Sequence, residues 1–119
     1  MMQRTLLKLH KAGIRIVLGT DGGASRDHFY AHTGHRELQL MNQAGMSPAD
    51  VIVAATRNSA EFLRLTKQGT IAAGKNADFI VLDANPLDNI ANTQKIARVY
   101  LKGKEIDRAR LKTAFGSKQ

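Results

Sequence analysis

The sequence predicts an α/β fold that is incomplete in its first half. Three observations carry this. A short β-branched run, Ile14 to Gly19, is bounded by glycines and flanked on both sides by segments of helical period. Further strand signals, Ala77 to Asp83 and Ile96 to Leu101, follow a turn-rich stretch after Thr66. One strand set among helices also leaves both of its edges without a partner, so the strands that should flank it are missing from the sequence.

The elements follow in order. Met2, Leu6 and Leu9 recur at i, i+4 and i+7, predicting a helix to Lys11 that Gly13 ends as a C′ residue. The buried strand Ile14 to Gly19 stops abruptly at Thr20-Asp21-Gly22-Gly23, and Ala24 to Gly34 has no clean period and reads as a loop. A second helix runs from near His35 to Ala44, with Leu38, Leu40 and Met41 on its apolar face and Gly45 closing it. Ser47-Pro48-Ala49-Asp50 places serine at an N-cap, proline at N1 and an acid at N3, opening a third helix that turns Val51, Ile52 and Ala55 inward. Asn58-Ser59-Ala60-Glu61 resembles another N-cap with an acid at N3 and leads into Phe62, Leu63 and Leu65. Asn85-Pro86-Leu87 breaks the strand before it, and Lys102-Gly103-Lys104 is a tight turn returning through Glu105 and Ile106. Asp107 to Phe115 reads as a short helix. The chain divides into residues 1–66, helix, strand and helices, and residues 67–119, strand-dominated with a basic tail.

Composition bounds the function. A length of 119 residues is that of one domain, and 43% apolar with 24% charged residues is ordinary for a globular protein. Cysteine is absent, which excludes disulfides, thiolate catalysis and Cys-ligated metal sites and fits a cytoplasmic protein. No apolar run approaches the roughly 20 residues that span a bilayer, so no membrane partner is expected. The net charge is +8, but Lys95 to Gln119 holds eight basic residues and two acidic ones. A basic tail without interleaved aromatics reads as a solvated or docking face, and nucleic acid is not expected as a partner.

Few residues carry chemistry. Asp21 sits where a buried strand ends in two glycines, and the carboxyl ends of strands are where α/β active sites collect. A carboxylate there can ligate a divalent metal or act as a general base; an Asp-Gly turn is the structural alternative. His28, His32 and His35 fall within eight residues, with Tyr30 among them. Their surroundings favour a loop over a ligand set, and no His-x-His pair occurs. Gly69 to Lys75 spells Gly-x-x-x-x-Gly-Lys, but Asn76 stands where a phosphate-binding loop needs serine or threonine. No serine has a nucleophile-elbow context.

Six stretches in this order resemble the C-terminal portion of the metal-dependent amidohydrolase superfamily, nearest to imidazolonepropionase-like and Xaa-Pro-dipeptidase-like members. They are Ile16 to Gly23, His35 to Leu38, Ala44 to Pro48, Ala54 to Ala60, Gly69 to Ile71 with Gly74 to Asp78, and Val81 to Leu87. The resemblance implies the end of a (β/α)8 barrel followed by part of a small β-sandwich, with Ile14 to Gly19 as the eighth barrel strand. It implies that Asp21 is catalytic and a metal ligand, taking a proton from a metal-bound water and passing it to the leaving amine. It implies a divalent metal, most simply zinc, and a small amide, cyclic amide or dipeptide as substrate. His28, Tyr30, His32 and His35, on the loop after that strand, are the candidates for substrate contact.

The same resemblance sets a limit. The family's His-x-His and its mid-barrel ligands have no counterpart in this sequence, and a barrel of this kind takes about 250 residues. The isolated chain is therefore expected to be inactive unless a complementing N-terminal half supplies the rest. The alternative is a non-catalytic remnant that self-associates, as a homo-oligomer, through exposed sheet edges.

Overall fold

The computed structural model describes residues 2–22 and 32–115. The described residues form α1 (Met2–Lys11), α2 (Thr33–Gln43), α3 (Pro48–Ala55) and α4 (Arg57–Phe62), then β1 (Phe79–Leu82), a 3₁₀ turn (Ile90–Gln94), β2 (Ile96–Leu101), β3 (Lys104–Glu105) and α5 (Arg108–Phe115). The α/β class holds.

Glycine ends the first two helices as the sequence requires. After α1, the Gly13 amide donates to the His10 carbonyl and the Ile14 amide to the Leu9 carbonyl, with Gly13 at φ +79°. This is a Schellman closure, which an L side chain at Gly13 would strain. α2 closes the same way on Gly45, where an added Cβ would meet the Leu7 side chain at 2.9 Å. That close approach docks α1 on α2. Of the two described apolar side chains predicted to face inward from α1, Leu6 packs on the core and Leu9 lies exposed.

α3 begins as expected. The Ser47 side chain accepts from the Asp50 amide at 3.1 Å while its hydroxyl donates to the Asp50 carboxylate at 2.6 Å. The hydroxyl holds the Asp50 carboxyl below its ordinary value against an opposing effect of burial; the neighbouring His10 ring, 3.4 Å away, adds to the lowering. Ser47→Ala is expected to cost about 1 kcal/mol. Urea titration should show this as a lower midpoint at unchanged slope.

The core is small. Met41, Met46, Val51, Ala54 and Ile90 are buried together, with Leu6, Ile16, Leu18, Leu38 and Ile52 packed around them. Ile90 reaches this helical core from the 3₁₀ turn between β1 and β2, an element with no periodic signal in the sequence. It is nucleated locally, by the Asn89 side chain accepting from the Ala91 amide at 2.9 Å.

β1, β2 and β3 form an antiparallel meander, with Phe79 opposite Tyr100 and Leu82 opposite Ile96. Phe79 and Tyr100 stack with ring centroids 4.7 Å apart. Lys102 and Gly103, both at positive φ, make the two-residue turn into β3, and the Asp78 carboxylate pins it by accepting from the Lys102 amide at 2.7 Å.

Three expectations differ from the structure. Ile14 to Gly19 forms no strand ladder, because no strand lies beside it among the described residues. α4 starts at Arg57 behind Thr56, so Asn58 is not its N-cap and its side chain is spent elsewhere. Phe62, Leu63 and Leu65 are exposed, Phe62 at 71%, since no described element covers that end of α4.

Candidate functional site

Asp21 stands at the end of the extended run Ile14 to Thr20. Ile16 and Leu18, two residues apart, turn onto the helical core, which is the period of extended chain. The run is held from one side: the Asn58 side-chain amide donates to the Ile16 carbonyl at 2.9 Å, and the Leu18 amide donates to the Ala54 carbonyl at 3.4 Å. At Asp21 the backbone turns left-handed, φ +54°, a conformation asparagine and aspartate tolerate better than most residues. The Gly22 amide closes the turn on the Thr20 hydroxyl at 3.2 Å.

Gly22 also packs close to Thr33, where an added Cβ would lie 3.3 Å from the hydroxyl oxygen. The Asp21 turn therefore neighbours the start of α2. The Asp21 carboxylate is exposed and makes no hydrogen bond or ion pair with any described residue. Nothing in the packing of the described residues needs its charge.

The histidines separate. His28 and Tyr30 lie outside the described residues. His32 is exposed at the N-cap of α2 and makes no capping bond. His35, one turn on, bridges α2 to the 3₁₀ turn: its Nδ1 lies 3.0 Å from the Thr93 hydroxyl oxygen, and that hydroxyl donates to the Ile90 carbonyl at 2.9 Å. With Thr93's one proton committed, Nδ1–H of His35 is the donor. No sequence signal marks Thr93 as its partner.

Burial, then the charge of His32, holds His35 below the ordinary histidine value. The unfolded chain therefore binds the proton more readily, and this contribution to stability is complete above about pH 6.5 and declines as the pH falls towards the folded value. Thermal unfolding followed from about pH 7.5 down to about 5.5 should show that decline, and His35→Gln should flatten it.

A second polar group, His10, Ser47 and Asp50, has the composition of a hydrolytic triad but not its geometry. The Ser47 hydroxyl donates to the carboxylate, so no imidazole stands ready to take its proton, and the group is a helix cap. Among the described residues no three of His, Cys, Asp or Glu come together to hold a metal ion. A zinc ion needs three or four protein ligands, and the described residues do not fit one on their own.

The Asp21 carboxylate thus stands exposed at the end of an extended segment backed by helices, and strand ends are where the active sites of α/β enzymes gather. The profile of the Amidohydrolase family matches residues 2–106, and the chain belongs to that family. It is 43% identical over 77 residues to a 5-methylthioadenosine/S-adenosylhomocysteine deaminase of Halalkalibacterium halodurans, covering 60% of this chain and 18% of the deaminase. It is 36% identical over 64 residues to an imidazolonepropionase of Deinococcus radiodurans, covering 51% of this chain and 16% of that protein. The structure resembles that of a Xaa-Pro dipeptidase with TM-score 0.78 and 30% identity, covering 87% of this chain and 25% of the dipeptidase. The expected likeness to imidazolonepropionase and Xaa-Pro dipeptidase is thus met, and the chain spans a quarter or less of each of these relatives.

Proposed function

We propose that this chain carries one catalytic carboxylate, Asp21, of a metal-dependent hydrolase acting on C–N bonds of a small amide, cyclic amide or dipeptide. Residues 1–66 are the last part of its barrel, and residues 67–119 its share of a β-sandwich. The observation that supports this is the Asp21 turn itself. Its carboxylate is exposed, unpartnered among the described residues and held at positive φ inside the family-matched segment. A carboxylate so placed can carry a proton between an attacking water and a leaving nitrogen. A divalent metal, zinc in the simplest case, supplies the acidity of that water when bound. The described residues do not hold such an ion alone, so its remaining ligands come from residues beyond them. His32 and His35, near the start of α2, stand with His28 and Tyr30 as substrate contacts.

A second reading is a self-associating, non-catalytic module. It draws on the exposed Leu63 and Ile71, which with Phe79 and Val99 help to line an apolar groove of about 710 Å³. One experiment separates the two. The chain is assayed against a panel of amides and dipeptides, alone and mixed with the N-terminal portion of an amidohydrolase barrel. Turnover that appears only in the mixture supports the hydrolase. No turnover in either, with mass rising with concentration, supports the module.

A further inference from the structure

We propose that Asn58 is the positioning residue of the Asp21 turn, acting by holding the extended segment that presents the carboxylate. Its functional meaning rests on the reading of Asp21 above; the geometry does not.

In extended chain, the N–H and C=O groups of successive residues face opposite edges, so residues two apart share one. Ile16 and Leu18 share one edge, and that edge is occupied. The Asn58 amide donates to the Ile16 carbonyl across 42 residues of sequence, and the Leu18 amide donates to Ala54. The opposite edge, at Arg15, Val17 and Gly19, has no backbone hydrogen bond to any described residue. Among the described residues the segment's backbone is therefore bonded along one edge only, and of the two bonds that tie that edge to α3 and α4 the Asn58 bond, at 2.9 Å against 3.4 Å, is the shorter; the Arg15 guanidinium adds an exposed ion pair with Glu61 on α4 at 2.9 Å.

The neighbouring side chain completes the anchor. The Ala54 carbonyl sits in the last turn of α3, where helical carbonyls lack intrahelical partners. It accepts both the Leu18 amide and the Ser59 hydroxyl, the latter at 2.8 Å. Asn58 and Ser59 thus fix a donor and an acceptor that together grip one edge of the segment.

Downstream, Asp21 has no side-chain bond among the described residues, and its turn is held by Gly22 against Thr20. Where the carboxylate lies is set by where Ile16 to Leu18 are held. The position demands a donor. An aspartate of the same shape would turn an acceptor onto the Ile16 carbonyl and leave that carbonyl unpaired.

NMR on the purified chain tests this. In Asn58→Asp, the amide resonances of Thr20, Asp21 and Gly22 should shift, and the Leu18 amide should exchange about tenfold faster. Val51 and Ala60, in α3 and α4, should keep their protection. Unshifted Thr20 to Gly22 resonances would overturn the proposal, as would a uniform loss of protection through α3 and α4, which would make Asn58 a general packing residue. In the unmodified protein, a scalar coupling across the hydrogen bond from Asn58 Nδ2 to the Ile16 carbonyl carbon is expected, and its absence would overturn the proposal even if the variant fails to fold. A displaced turn in Asn58→Asp, together with full turnover in a complemented Asp21→Asn enzyme, would keep the positioning and reject the catalytic reading of Asp21.

Discussion

Asp21→Asn is expected to lower amide turnover of the complemented enzyme by about a thousandfold, the scale of a lost proton carrier, while leaving the fold in place. Asparagine has the shape of aspartate but carries neither its charge nor an exchangeable acid proton. It also accepts left-handed backbone, so the turn at φ +54° persists. Because the carboxylate has no partner among the described residues, removing its charge strands nothing there. Stability should therefore stay within about 0.5 kcal/mol of the unmodified chain. Loss of turnover with an unchanged unfolding midpoint assigns the carboxylate to the chemistry. Turnover retained would refute its role.

The largest structural effect is expected at Gly69. This residue turns the chain away from α4 at φ +85°, and a Cβ there would lie 2.5 Å from the Ala60 Cβ and 3.1 Å from the Thr56 carbonyl oxygen. Neither neighbour is the far end of a flexible side chain: Ala60 is buried, and Thr56 lies in the backbone entering α4. Gly69→Ala therefore combines backbone strain with overpacking and should cost about 3 kcal/mol. Gly74 has nearly the same φ, +79°, but open space around its missing Cβ. Gly74→Ala should cost only about 1 kcal/mol. Equal losses in urea titration would show that conformation, not the contact with Ala60, governs the site.

What was legible in the sequence was what is decided locally. Gly13 and Gly45 end helices because the chain must turn left-handed there, and Ser47-Pro48 starts one because its hydroxyl meets the Asp50 amide three residues on. The Lys102-Gly103 turn is equally local. What depends on distant neighbours was not legible. Ile14 to Gly19 has the composition of a strand, yet a strand is defined by its partners, and none lies beside it among the described residues. Phe62, Leu63 and Leu65 have the composition of a core face but no described cover.

The candidate site divides the same way. Asp21 was marked by its place after a β-branched run and before two glycines. The residues that organise its surroundings were not. Thr93 meets His35 across 58 residues of sequence, and Asn58, whose position suggested a helix cap, instead reaches back 42 residues to Ile16. A short polar side chain near a helix start serves either purpose equally well until the fold brings the second partner within reach. The basic excess after residue 94 lies largely on β2, β3 and α5, away from the Asp21 turn in sequence.

The proposed function makes this chain the source of one carboxylate in a metal site that other residues complete. Zinc affinity measured by chelator competition tests it most directly, on the chain alone, on the chain complemented with an N-terminal barrel portion, and on the complemented Asp21→Asn protein. Tight, stoichiometric zinc is expected only in the complemented protein, weakened at least about tenfold by Asp21→Asn. Equal zinc affinity with and without the Asp21 carboxylate would contradict it.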